Sequence, residues 1–218
     1  MNNNVQIAFA AGALQSTAED LFKWYQALLS GQFIRRDTLQ KAWTRGRLND
    51  GSRTDYGYGW FVGELQGRSI VEHGGNMGGF MCHGVYLPED DVLVIVLFNF
   101  RGKLPELLAI DLAARAIGKS LDIRPVTLAD DLIQSYQGNY TDFRDVVWVV
   151  GMADGKLFVQ KTGGQKWTVT PYAKDKVYFD NTATLGEFQR DETGHIVRFV
   201  MQTRTGVSRN TLARVEQH

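Results

Sequence analysis

The most informative stretch of the sequence is Val71-Glu72-His73-Gly74-Gly75-Asn76-Met77-Gly78-Gly79-Phe80. It places a titratable ring and four glycines between two strand-like segments, Ser69 to Val71 and Phe80 to Leu87. Each glycine costs about 0.5–1 kcal/mol of backbone entropy relative to alanine. A strand tolerates that cost where it bulges or where a ligand approaches the backbone closely. The stretch is therefore the first place to look for a functional site.

The segments around this stretch predict a sheet with helices beside it. Pro88-Glu89-Asp90 forms a turn, and Val92 to Phe98 is so continuously apolar that it predicts a strand buried on both faces. Leu104 to Ile117 has the pattern of a helix. Upstream, Ser16-Thr17-Ala18-Glu19 is a capping box in which Ser16 and Glu19 are expected to begin an amphipathic helix.

The region after residue 127 has a different texture. Short apolar segments alternate with seven turn signals, from Asp142-Phe143-Arg144-Asp145 to Thr205-Gly206. Even spacing of this kind predicts about eight strands in an up-and-down barrel. We therefore predict an α+β fold class in two domains, a partial antiparallel sheet with flanking helices over residues 1–122 and an all-β barrel over 127–218, with the boundary near 125.

Composition excludes several classes of function. Lys+Arg and Asp+Glu are equal at 24 each, so no positive footprint supports nucleic-acid binding. No apolar run reaches the ~18 residues that a membrane span needs. The single Cys82 excludes an internal disulfide and a cysteine-rich metal site. We predict neither a metal ion nor another cofactor.

Several linked motifs place the first region in a known family. Ala11 to Leu21, Tyr56 to Trp60, Glu72-His73-Gly74-Gly75 and the strand after Pro88 occur in one order and spacing. Over residues 8–118 they resemble the C-terminal part of the serine β-lactamase and penicillin-binding-protein-like hydrolases. The similarity is to the class C branch, which includes esterases and D-aminopeptidases. The second region resembles the lipocalin-like domain often appended to such enzymes.

The resemblance implies a partial active site. The family carries Ser-x-x-Lys, Tyr-x-Asn or Ser-x-Asn, and Lys-Thr-Gly or its His-x-Gly equivalent. His73-Gly74-Gly75 matches the third element, and His73 replaces the lysine that faces the substrate. Asn76 occupies the position whose backbone N–H helps to form the oxyanion hole. Tyr58 and Trp60 are weaker candidates, as residues that edge the substrate cleft.

The first two elements are missing. No serine is followed three places later by lysine, and no tyrosine is followed two places later by asparagine. Lys161-Thr162-Gly163 repeats the third element literally, but its neighbours predict a hairpin turn. The chain therefore resembles the end of the hydrolase domain without its beginning.

Some residues have simpler structural interpretations. We expect His83 to be a packed or rim residue of the strand Phe80 to Leu87, and Trp24 and Tyr25 to be core residues at helical spacing. Asp130-Asp131 is expected to be a solvated cap that leads into a strand.

Two function classes follow from these patterns. The first is a fragment of a serine hydrolase that acts on an amide, ester or β-lactam through an acyl-enzyme, and that is inactive alone. The second is a non-catalytic binding module, whose barrel holds a small apolar ligand or covers the parent's active site. A pocket lined by the aromatic side chains Trp148, Phe158, Trp167 and Phe179 would favour the ligand, and a filled interior would favour packing.

The fragment interpretation also predicts partners and a location. In the family, the strand matching Val92 to Phe98 pairs with strands of the missing region, so here its edge would be open. An open apolar edge pairs with other chains, which predicts self-association or pairing with the missing N-terminal part. The resemblance further implies a periplasmic or secreted location, although Met1 to Val5 begins no signal peptide.

Overall fold

The computed structural model describes residues 8–100, 104–121, 123–207 and 210–215, and it divides into two compact units, 1–121 and 122–218. The described helices are α1 (Phe9–Gly12), α2 (Ala18–Ser30), α3 (Arg36–Ala42), α4 (Pro105–Ala116) and α5 (Asp130–Tyr136). The strands of the first unit are β1 (Phe61–Leu65), β2 (Arg68–Met77), β3 (Phe80–Leu87) and β4 (Val92–Phe98). The strands of the second unit are β5 (Gly138–Thr141), β6 (Val147–Ala153), β7 (Lys156–Lys161), β8 (Lys166–Ala173), β9 (Lys176–Phe179), β10 (Thr184–Arg190), β11 (Ile196–Thr203) and β12 (Asn210–Arg214).

The first unit is an antiparallel sheet in the order β1-β2-β3-β4 with helices beside it. Each strand pairs with the next one along the chain, so short turns make every connection. Together with the barrel of the second unit, this confirms the predicted α+β fold class.

The helix α2 begins one residue later than the predicted capping box. Thr17 is the N-cap, and its hydroxyl accepts a hydrogen bond of 3.1 Å from the backbone N–H of Asp20. Ser16 instead directs its hydroxyl to the Thr17 carbonyl. The prediction was wrong in register because Ser16 and Thr17 are both good caps and both have an acidic residue three places on.

The two faces of the sheet pack against different helices. On one face, Val71 and Tyr86 are buried in a cluster with Tyr25 and Leu28 of α2. On the other face, Ile110 and its alanine neighbours on α4 are fully buried, and α4 contacts both β3 and β4. The sheet is therefore the middle layer of its unit.

The strand β4 forms as predicted, but it is not buried on both faces. Val96 is its one buried residue, and Leu97 is 39% exposed. Among the described residues, β4 pairs only with β3 and lies at the edge of the sheet. The continuous apolar run therefore did not indicate burial, because the side chains near the open edge lack neighbours.

The second unit is a closed barrel of eight antiparallel strands, β5 to β12, in which β12 pairs with β5. Seven short connections join the strands, each at a turn that the sequence predicted. The Lys161-Thr162-Gly163 segment is one of them, and the Gly164 N–H donates to the Lys161 carbonyl at 2.8 Å. Its hairpin assignment is confirmed.

The interior of the barrel is filled by its own side chains. Phe199 and Phe188 are nearly fully buried and stacked with ring centroids 4.4 Å apart. Phe179 is also buried, whereas Phe158 points outward and packs over Gly151. The sequence left open whether the barrel holds a ligand or is filled by its own side chains. The filled interior favours the second alternative.

The helix α5 replaces the strand that was expected after Asp130-Asp131. Its last residue, Tyr136, is fully buried and stacks on Phe188 at 4.3 Å. Seven residues are too few to hold a helix by propensity alone, so tertiary packing decides the conformation of this segment. Sequence patterns could not show that packing.

An ion pair holds α5 to the barrel. The Arg190 guanidinium donates to both carboxylate oxygens of Asp175, at 2.7–3.1 Å, and also to the Ser135 hydroxyl at 3.2 Å. The Asp175 backbone N–H donates to the Tyr136 hydroxyl at 2.8 Å. Burial raises the pKa of the Asp175 carboxyl, but the Arg190 hydrogen bonds and charge outweigh it and hold that pKa below its ordinary value.

Candidate functional site

The glycine-rich stretch forms the end of β2 and the turn into β3. Met77 pairs with Phe80, which leaves Gly78 and Gly79 as a two-residue hairpin turn. Their φ angles are 59° and 100°, in the left-handed region that turns of this kind need and that glycine adopts most readily. The pairing of β2 with β3 has no register shift, so of the two reasons for glycine in a strand, a bulge and close approach of a ligand, the bulge does not apply here.

Gly74, the glycine that follows His73, is explained by a side-chain contact and not by a turn. Gly74 lies opposite His83, and a Cβ at Gly74 would come within 2.7 Å of the His83 Nδ1. The His83 ring is buried, and its Nε2 lies 3.0 Å from a carboxylate oxygen of buried Glu72. The expectation that His83 is a packed residue is confirmed, and its ring occupies the space that a side chain at position 74 would need.

The backbone of β2 is unpaired on one side where the candidate site begins. The strand β1 pairs with β2 only from Leu65↔Arg68 to Phe61↔Glu72. No described strand therefore continues along that side of His73 to Met77. This segment is a second open edge of the sheet.

The direction of the N–H groups along this edge follows from the ladder. The Val62 N–H donates to the Asp55 carbonyl, so Val62 directs its backbone polar groups away from β2. In an antiparallel pair its partner Val71 then points its own groups toward β3, and direction alternates along the strand. Asn76, five residues on, has the opposite direction, and its N–H points out from the open edge.

The His73 side chain lies beside that edge in an aromatic setting. Its Nε2 is 2.9 Å from the Tyr56 hydroxyl, and its ring stacks on Phe61 with centroids 5.5 Å apart. Its Nδ1 lies 2.8 Å from the Gly74 carbonyl, which can only accept a hydrogen bond. In the neutral ring the proton is therefore on Nδ1, and Nε2 accepts from the tyrosine. The imidazole is exposed but held in one orientation.

The two aromatic candidates have different positions. Trp60 is buried and lines a cleft beside His73, whereas Tyr58 is 80% exposed. The tyrosine whose hydroxyl contacts the His73 ring is Tyr56, which was not predicted from the sequence. Tyr56 and Tyr58 are each followed by glycine, so the sequence does not distinguish them. Tyr56 reaches His73 because it pairs with Phe61, and the sequence has no pattern that predicts this pairing.

The cleft lies between α2 and the sheet and has a volume of about 200 Å³. Trp24 forms part of its wall and is 46% exposed, so its assignment as a core residue was wrong. Tyr25 is buried as expected. Trp24 stacks on Trp60 with centroids 6.1 Å apart, so the two indoles form one aromatic side of the cleft.

The described part of the chain offers neither a metal site nor a membrane-spanning helix. In residues 8–100, 104–121, 123–207 and 210–215, no group of three or more His, Cys, Asp or Glu side chains is arranged to hold a metal ion. None of the helices α1 to α5 is both long and apolar enough to cross a membrane.

Comparison with known proteins identifies relatives of this chain. The family model described as Beta-lactamase matches residues 1–119. Penicillin-binding protein 4* of Bacillus subtilis is 38% identical over 192 residues, covering 83% of this chain and 42% of that protein. D-aminopeptidase of Brucella ovis is 24% identical over 110 residues, covering 50% of this chain and 20% of that protein. The chain thus spans less than half the length of these relatives.

Two solved structures are also similar. The octameric penicillin-binding protein homologue from Pyrococcus abyssi has a TM-score of 0.49 at 18% identity, covering 93% of this chain and 48% of that one. SurE with D-Leu has a TM-score of 0.47 at 18% identity, covering 96% of this chain and 52% of that one. The family match extends over more than half of the 218 residues and coincides with the motifs around His73. The chain belongs to the beta-lactamase family.

Proposed function

We propose that this chain supplies one wall of the active site of a serine hydrolase that cleaves an amide or ester through an acyl-enzyme. The observation that carries the proposal is the open edge of β2, where the Asn76 N–H points outward and the His73 ring lies alongside. The chain contains no Ser-x-x-Lys and no Tyr-x-Asn. It therefore offers no nucleophile and is inactive alone.

Asn76 acts through its backbone in this proposal. An acyl transfer develops negative charge on the carbonyl oxygen, and fixed N–H donors stabilise that charge. Removing one such donor costs about 2.7–4 kcal/mol of transition-state stabilisation. An N–H at an open strand edge is suited to this role because no described strand competes for it.

His73 acts through its side chain. Its Nε2 is bonded to the Tyr56 hydroxyl, so an approaching substrate group meets a Tyr–His pair in place of a flexible lysine. The stack on Phe61 limits rotation of the imidazole. We assign the pair to orientation of the substrate's carboxylate or acyl group.

The rest of the site comes from a polypeptide that this chain does not contain. The edge strand β4 has no second strand partner in the part of the chain that the structure describes, and its apolar side chain Leu97 is exposed. We propose that β4 pairs with the part that carries the nucleophile, or with a second copy when that part is absent. The proposed domains remain 1–122 and 127–218, and the proposed location is periplasmic or secreted.

The proposed substrates are amides, esters or β-lactams. The Bacillus subtilis relative is a penicillin-binding protein and the Brucella ovis relative is a D-aminopeptidase. Both descriptions fit acyl transfer.

The test is to sequence the DNA upstream of the Met1 codon. The proposal expects an in-frame Ser-x-x-Lys there, and a longer protein that hydrolyses nitrocefin or a p-nitrophenyl ester. In that longer protein, Asn76→Ala keeps the N–H and should retain activity, whereas Asn76→Pro removes it and should lower kcat by about 10²–10³. Absence of the motif upstream, or equal activity of the two variants, would overturn the proposal.

A further inference from the structure

The cleft beside His73 has walls that are mostly apolar. Its volume of about 200 Å³ lies between α2 and the face of the sheet that α2 covers. The apolar walls are formed by Leu21, Trp24, Trp60, Ile95 and Leu97. A cleft of this size fits one compact aromatic or branched aliphatic group.

One polar group in the cleft has no partner. Tyr25 is 95% buried, being 5% exposed, and its ring contacts Trp24 and Trp60 edge to face at 5.0 and 5.6 Å. Its hydroxyl makes no hydrogen bond with any residue that the structure describes. The hydroxyl oxygen is not one of the solvent-shielded unpaired atoms of the described residues, so it is accessible from the cleft and can donate to an acceptor bound there.

The sheet leaves room for this hydroxyl. A Cβ at Gly84 would lie 2.8 Å from the Tyr25 hydroxyl oxygen, so only glycine gives the hydroxyl its position. Two residues away on β3, Cys82 pairs with Gly75 and Leu97, and its exposed thiol also lines the cleft. Burial, followed by the nearby Cys82, raises the pKa of the Tyr25 hydroxyl, so the group remains a donor at neutral pH.

We propose that this cleft is a binding site for a compact aromatic or branched apolar group that carries a carbonyl oxygen. The apolar part packs between Trp24, Trp60 and Leu97, and the carbonyl accepts the hydrogen bond of the Tyr25 hydroxyl. The identity of the ligand rests on the proposed function. We assign it to the apolar part of the hydrolase substrate, because His73 lies at the rim of the same cleft.

The reactivity of a cysteine in the wall of the cleft can be used to measure ligand binding. Cys82 is the only cysteine, so its reaction with a thiol reagent such as DTNB measures access to the cleft. We expect benzamide to slow that reaction with an apparent Kd of about 1–10 mM, as befits a ligand with few atoms. Acetamide, which has the carbonyl without the ring, should give no protection at the same concentration.

Two variants separate the hydrogen bond from packing. Tyr25→Phe keeps the ring and should weaken benzamide protection about three- to tenfold, the effect of losing one neutral hydrogen bond. Tyr178→Phe, in the barrel, is the matched control and should change nothing. Benzamide titration followed by the Trp24 and Trp60 indole N–H signals gives a second readout that does not depend on the thiol.

The outcomes distinguish this inference from the proposed function. No protection and no indole shift with benzamide, or equal affinity in Tyr25→Phe, would overturn the inference whatever the longer protein does. Binding to the cleft together with an inactive longer protein would support the site and overturn the hydrolase proposal instead.

Discussion

In the barrel every strand has a neighbour on both sides, whereas the four-stranded sheet has β1 and β4 at its edges. Closure satisfies the backbone groups of the barrel and removes the edges that promote pairing with other chains. Within the described ranges, the sheet leaves β4 without a second partner along its length and β2 without a partner on one side from His73 onward. The candidate site lies on one of these open edges.

The side chains show the same difference. The barrel encloses a continuous cluster around Phe188 and Phe199, both at most 2% exposed. In the first unit Phe80, Leu97 and Leu108 are 66%, 39% and 44% exposed. Among the described residues, the barrel closes on itself, whereas the sheet of the first unit keeps two unpaired edges.

The largest effect is expected in the barrel core. Phe199→Ala removes a fully buried ring that contacts Tyr140, Phe179 and Phe188, and should lower the free energy of unfolding by about 3–5 kcal/mol. Urea denaturation followed by NMR signals of barrel residues measures the change.

The control is an aromatic residue on the barrel surface. Phe143→Ala, at a site that is 88% exposed, should change stability by less than about 0.5 kcal/mol. Similar losses for Phe143→Ala and Phe199→Ala would mean that the interior does not hold the barrel together.

The next effect concerns the attachment of α5. Asp175→Asn removes the charge partner of partly buried Arg190 and should destabilise the barrel by about 2 kcal/mol at pH 7. Because the pKa of Asp175 is lowered in the folded state, its stabilisation is complete above the carboxyl's ordinary pKa of 3.8 and is lost as pH falls through the lower folded value.

The pH dependence gives the check on this pair. The stability difference between the native protein and Asp175→Asn should be constant from pH 7 to about 5 and should shrink below pH 4. Thermal unfolding across this range measures it. A difference that stays the same at pH 3 would show that the carboxylate charge has no part in holding α5.

The smallest of these effects concerns association through β4. We expect the purified chain to form dimers, and Leu97→Lys at the open edge should weaken them by about tenfold because edge lysines oppose strand pairing. Leu108→Lys, on α4 and equally exposed, is the matched control. Light scattering over a range of concentrations is the measurement, and a monomer at every concentration would contradict the edge-pairing proposal.

The sequence predicted the architecture better than its details. Turn residues at seven points specified the strands of the barrel, because turn chemistry is local. The α5 segment and the partial exposure of Val92 to Phe98 were missed because they depend on what packs nearby. Tyr56 was missed for the same reason, since a fold-dependent pairing brings its hydroxyl to His73.

The central claim is that the first unit holds an active-site wall without a nucleophile. Its most direct measurement is the hydrolysis of nitrocefin and a p-nitrophenyl ester by the purified chain, with intact-protein mass spectrometry for an acyl adduct on serine. We predict no turnover above buffer and no serine adduct. Steady hydrolysis that disappears when one serine is replaced by alanine would contradict the claim.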